Sequence, residues 1–144
     1  MSNRTYTQFQ WGLEKKAVSI YCNATGTGAS APTLNSWTGS ALATAPSAGY
    51  KGVKSITRNG VGDYTFTFQD TYNRLLDLSL NVLAIDGATT PLVAACWIKS
   101  VNATATGGAT VRLVFYLSAP GTPADAGTNE RLYLVFTWSD SNAQ

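Results

Sequence analysis

Residues 52–69 read GVKSITRNGVGDYTFTFQ. Over residues 63–69, Tyr64, Phe66 and Phe68 alternate with Thr65, Thr67 and Gln69. Successive side chains of a strand point to opposite faces, so this stretch predicts a half-buried antiparallel strand with an aromatic inner face. Residues 52–58 alternate as well, with Val53, Ser55 and Thr57 against Lys54, Ile56 and Arg58. Asn59-Gly60 follows, and Asn-Gly supplies the positive φ angles of a two-residue type I′ turn. The pair predicts a hairpin closed at Asn59-Gly60.

The same signal repeats in both directions along the chain. Residues 17–24, 78–82, 93–101, 110–118 and 130–138 each read as a strand between clusters of Gly, Pro, Asn and Asp. Residues 70–76 break the alternation, and Asp70 suits the N-cap of a single helical turn. Residues 25–48 are rich in Thr, Gly, Ser, Ala and Pro and predict a long loop that packs through Trp37. No long amphipathic helix and no internal repeat occurs. The expected fold is all-β, a single antiparallel β-sandwich or jelly roll of about seven to eight strands. An extended arm over residues 1–16 precedes a domain over residues 17–144.

The last two strands are apolar on both faces. Val111, Leu113, Phe115, Leu132, Leu134, Phe136 and Trp138 define one face; Val114, Tyr116, Tyr133 and Val135 lie on the other. A sheet with water on one side normally shows a polar outer face. Two explanations stay open: a central position beneath a loop, or cover by another subunit. If the two strands are neighbours, Val114, Tyr116, Tyr133 and Val135 form one patch with Arg112 and Arg131 at its rim. In the arm, Tyr6, Phe9 and Trp11 alternate imperfectly with polar residues, which suits a segment lying on a neighbour.

Composition narrows the function. Ala, Thr, Ser and Gly supply 63 of the 144 residues, charged residues only 12%, and the net charge is +2. That charge is too small and too dispersed for a nucleic-acid binder. There is no His, which removes the commonest general base and the Ser-His-Asp and Cys-His constellations. Two distant cysteines, Cys22 and Cys96, give too few ligands for zinc and read as reduced, buried thiols. Asp63, Asp70, Asp77 and Asp86 fall near strand ends, where turns and caps explain them better than a catalytic pair. No phosphate-binding loop, cofactor fingerprint, secretory-signal pattern or run of 18 apolar residues occurs. The expectation is a non-enzyme without cofactor, nucleic-acid partner or membrane span. Trp11, Trp37, Trp97 and Trp138 suit core or interface positions, with sugar stacking as the alternative.

Residues 52–76, GVKSITRNGVGDYTFTFQDTYNRLL, are similar to small virion proteins of tailed bacteriophages, in which two strands and a short turn carry this pattern. Residues 6–16, YTQFQWGLEKK, resemble their N-terminal arm. The resemblance covers roughly the first 85 residues and implies a capsid decoration, or cement, protein. It also implies a major capsid protein as partner, a place on the capsid surface and synthesis in the host bacterial cytoplasm. A homo-oligomer, dimer or trimer, is expected because symmetric oligomers predominate. A tail or fibre-adaptor component, or a carbohydrate-binding β-sandwich module, shares these traits.

Overall fold

The computed structural model describes residues 17–35, 52–83, 93–117, 121–128 and 130–139. They form eight strands: β1 (Ala17–Thr25), β2 (Thr33–Leu34), β3 (Val53–Gly60), β4 (Asp63–Phe68), β5 (Arg74–Leu83), β6 (Ala95–Asn102), β7 (Thr110–Tyr116) and β8 (Arg131–Ser139). Two antiparallel sheets result, in the orders β2-β1-β8-β5 and β3-β4-β7-β6. They pack face to face as a β-sandwich. The arm residues Tyr6, Phe9 and Trp11 lie outside the described residues, as do Trp37, Asp86 and most of the predicted 25–48 loop.

Alternation explains the core. In β4, Tyr64, Phe66 and Phe68 are fully buried, and register pairs Tyr64 with Leu113 and Phe66 with Val111 of β7. In β8, Leu132, Leu134, Phe136 and Trp138 turn inward from the opposite sheet. Aromatic rings close the gap between the two layers. Phe68 meets Phe136 at 4.9 Å and Trp138 at 5.1 Å between centroids, both edge-on, the arrangement favoured by ring quadrupoles. Tyr72 stacks on Trp138 at 4.9 Å and meets Phe68 edge-on at 6.3 Å. Cys22 and Cys96 are unpaired thiols on opposite sheets. Burial pushes them up to about 12 and about 11, so neither is a ready nucleophile.

Three sequence expectations need correction. The first concerns the hairpin, which turns at Val61-Gly62 rather than at Asn59-Gly60. Gly60 pairs with Asp63 in the ladder, and Gly62 carries the positive φ, +66°. The reason lies outside the hairpin. Gly62 N–H donates to Asp125 Oδ1 at 2.9 Å, and Gly62 carbonyl accepts from Phe115 N–H at 2.7 Å. A Cβ on Gly62 would sit 2.7 Å from Phe115 O and Ala124 N, so the approach itself requires glycine.

Second, no helical turn follows Asp70. The carbonyl of Asp70 accepts from Ala109 N–H, Tyr72 N–H donates to Ala103 O, and Asn73 N–H donates to Ser139 O. These backbone groups bond across to other segments, so none remains for an i→i−4 ladder, and β5 opens at Arg74. Third, the condition for a single outer patch, that β7 and β8 be neighbours, is not met. Residues 121–128 carry the chain from one sheet to the other: Ala124 N–H bonds Phe115 O, and Ala126 O accepts from Gly28 N–H beside β1. Each strand is central in its own sheet, β7 between β4 and β6, β8 between β1 and β5.

The sheet edges share one device. Register shifts interrupt β3 at Lys54, β5 at Leu76 and β6 at Lys99. Each admits an extra residue and brings an apolar pair spaced by three, Val53/Ile56, Leu75/Leu78 and Ile98/Val101, onto one side. Among the described residues all three are edge strands; the remaining edge, β2, is two residues long. Bulges and very short strands are how sheets avoid edge-to-edge pairing.

Candidate interaction surfaces

The outer face of the β3-β4-β7-β6 sheet is built around Asp63. Arg112 binds it bidentately, Nε to Oδ1 at 2.7 Å and a terminal nitrogen to Oδ2 at 2.8 Å. Lys99 Nζ donates to Oδ2 at 2.8 Å, and Asn59 Nδ2 to Oδ1 at 3.2 Å. The bulge in β6 lets Lys99 point outward to this node while Ile98 stays on the inner side. Arg112, above all, holds the Asp63 carboxyl far below the usual carboxylate range. Asp63 is therefore a shielded structural anion rather than half of an exposed acid pair.

Beside the node lies an aromatic patch. Val114 stands opposite Asp63 on one side and Trp97 on the other. Trp97 is 59% exposed and meets Tyr116 edge-on at 5.9 Å. Val114, Tyr116 and Arg112 thus come together as expected, joined by Trp97, Lys99 and Asp63, which periodicity alone did not single out. Trp97 belongs to the surface and Trp138 to the core.

Tyr133, Val135 and Arg131 lie on the outer face of the other sheet. Val135 is flanked by Tyr21 and Ser79, and Tyr133 by Asn23 and Asn81. Tyr21 is 53% and Tyr133 36% exposed. Together with Asn23, Asn35 and Val135 they line a cleft of about 90 Å³. Asn35 Nδ2 donates to Asn23 Oδ1 and to Thr25 Oγ1, both at 2.9 Å, and this stitches β1 to β2 at the rim. Arg131 aligns with Thr25 and Leu83 at the end of the sheet. The single four-residue patch with two rim arginines is therefore replaced by two patches on opposite faces.

A second carboxylate node locks the end of the sandwich. Asp125 accepts from Arg58 Nε at 3.0 Å, a terminal Arg58 nitrogen at 2.7 Å, Gly62 N–H and the Tyr64 hydroxyl. Arg58, first, lowers the Asp125 carboxyl to about 2. Burial and the Asp125 hydrogen bond raise the Tyr64 hydroxyl above its ordinary range. Nothing in the 121–128 segment's own sequence signals this role, because Asp125 meets its partners only through the fold.

Among the described residues, no group of three or more His, Cys, Asp or Glu could hold a metal ion, and no helix is long and apolar enough to cross a membrane. Comparisons with family models, curated proteins and solved structures find no match.

Proposed function

We propose that this chain is a non-enzymatic structural protein of a tailed-phage virion, a decoration (cement) subunit that bridges neighbouring subunits of the capsid. One observation carries the proposal: the sandwich displays an aromatic patch on each outer face while its described edges are bulged or very short. Bridging needs two contact surfaces, and exposed aromatic patches are the usual centres of protein contacts. A protein that binds only the assembled shell stabilises that state by mass action. Repetition over the lattice lets modest contacts add. The major capsid protein is the proposed partner, the capsid surface the proposed location, and a dimer or trimer on a lattice symmetry axis the proposed arrangement.

Mass spectrometry of purified virions with gold-antibody labelling tests this. Label over heads is the expected result. Label confined to tails would move the chain to a tail or fibre-adaptor role, and absence from virions would overturn the proposal. The Tyr21–Tyr133 cleft with its Asn23 and Asn35 rim favours a second reading, a carbohydrate-binding module. Specific binding on a glycan array without virion incorporation would establish that reading instead.

A further inference from the structure

We infer that the outer face of the β3-β4-β7-β6 sheet docks an acidic protein segment, whose carboxylate meets Lys99 and Arg112 while an apolar side chain packs on Trp97 and Tyr116. This rests on the proposed function and names the face and the partner chemistry.

Charge carries the assignment. The four strands of this sheet hold Lys54, Arg58, Lys99 and Arg112 against one carboxylate, Asp63. Asp125 reaches in from residues 121–128 and neutralises Arg58. Asp63 faces two cations at once, and a single anion leaves one positive charge uncompensated. Both cations remain accessible, Lys99 at 50% and Arg112 at 38% side-chain exposure, although Asp63 fixes their positions. Guanidinium and ammonium donors held in place lose little freedom when a second carboxylate arrives.

Trp97 supplies the anchor beside this charge. It is among the most exposed large apolar side chains described, and Tyr116 and Val114 extend its surface. Aromatic anchors flanked by rim charges are the common pattern of energetic centres in interfaces. A second copy is a poor occupant. Two-fold pairing through this face would bring together two copies of a surface with more cations than carboxylates, and like charges brought together in an interface are disfavoured. Strand addition at the adjacent edge is obstructed by the bulge at Lys99. An acidic segment of a different chain satisfies both constraints.

The test uses the full chain and heads of the encoding phage assembled without it, with binding measured by co-sedimentation at several salt concentrations. Trp97→Ala and Tyr116→Ala are expected to weaken binding about 10- to 100-fold, and Trp97→Phe to retain most of it. Wild-type affinity should fall as salt rises, and Lys99→Gln should reduce that salt slope. Tyr133→Ala, on the other face, should leave the slope unchanged. Thermal unfolding of each variant separates binding loss from misfolding. No binding by the unaltered chain would overturn the proposed function itself. Wild-type binding that Trp97→Ala and Lys99→Gln leave untouched would overturn this docking face alone, and so would salt-independent binding.

Discussion

Asp125 gathers Arg58, Gly62 and Tyr64 from three positions of one hairpin, so its removal should loosen the turn and the 121–128 segment together. Asp125→Ala should cost about 1.5–3 kcal/mol, the range for hydrogen bonds to a charged group, read by denaturant unfolding. Acid should act on the same node. Asp125 and Asp63 both ionise below the ordinary carboxylate range when folded. In acid the unfolded chain therefore takes up protons that the folded chain refuses. Their contribution is complete above about pH 5 and is lost as pH falls towards about 2. Melting temperature measured between pH 7 and pH 2.5 should fall through that window. Asp125→Asn should start lower at pH 7 and fall less steeply. Gly60 and Gly62 give a sharper contrast. A Cβ on Gly60 meets nothing within 4 Å, whereas on Gly62 it collides with backbone at a positive φ. Gly60→Ala should change stability by no more than about 0.5 kcal/mol, and Gly62→Ala should cost about 1–3 kcal/mol. Equal effects would return the turn to Asn59-Gly60.

The strands themselves are legible wherever alternation holds, as in Tyr64/Phe66/Phe68 or Leu132/Leu134/Phe136/Trp138. Legibility fails at the edges for a definite reason. A strict period of two places Val53 and Ile56 on opposite faces, yet the bulge at Lys54 brings both to the inner side of β3. An apolar pair spaced by three inside a strand is the signal that could have revealed it, and β5 and β6 repeat it. Deleting Lys54 should therefore do more harm than replacing it. Lys54→Ala should remain within about 0.5 kcal/mol of wild type, while deletion turns Val53 outward and forfeits about 1.5–3 kcal/mol of burial. Equal stability of the two variants would show that the bulge does not set the register. Sheet membership is beyond periodicity altogether. Strands β7 and β8 follow one another and share an inner-face pattern, but hydrogen bonds of residues 121–128 to Phe115 and Gly28 send them to different sheets. Val114 and Tyr133 thus cannot meet, although nothing in either strand says so. Trp97 and Trp138 likewise sit in similar apolar runs and differ only in the face that register assigns them.

The molecule is two-sided, with exposed aromatic residues on the outer face of each sheet. Splitting the aromatic residues between opposite faces gives two patches in place of one, and the proposed bridging role assigns one to each of two neighbours. The described sheet edges are bulged or very short and resist pairing, which suits the proposed contacts through those faces. The positive face around Lys99 and Arg112 and the cleft between Tyr21 and Tyr133 differ in chemistry, so the two contacts need not be alike. Cryo-electron microscopy of virions tests this directly. The account predicts density for the sandwich on the head, each copy touching one capsid subunit through Trp97 and Tyr116 and another subunit or copy through Tyr133 and Val135. Density attached through a single face, with the other open to solvent, would contradict it.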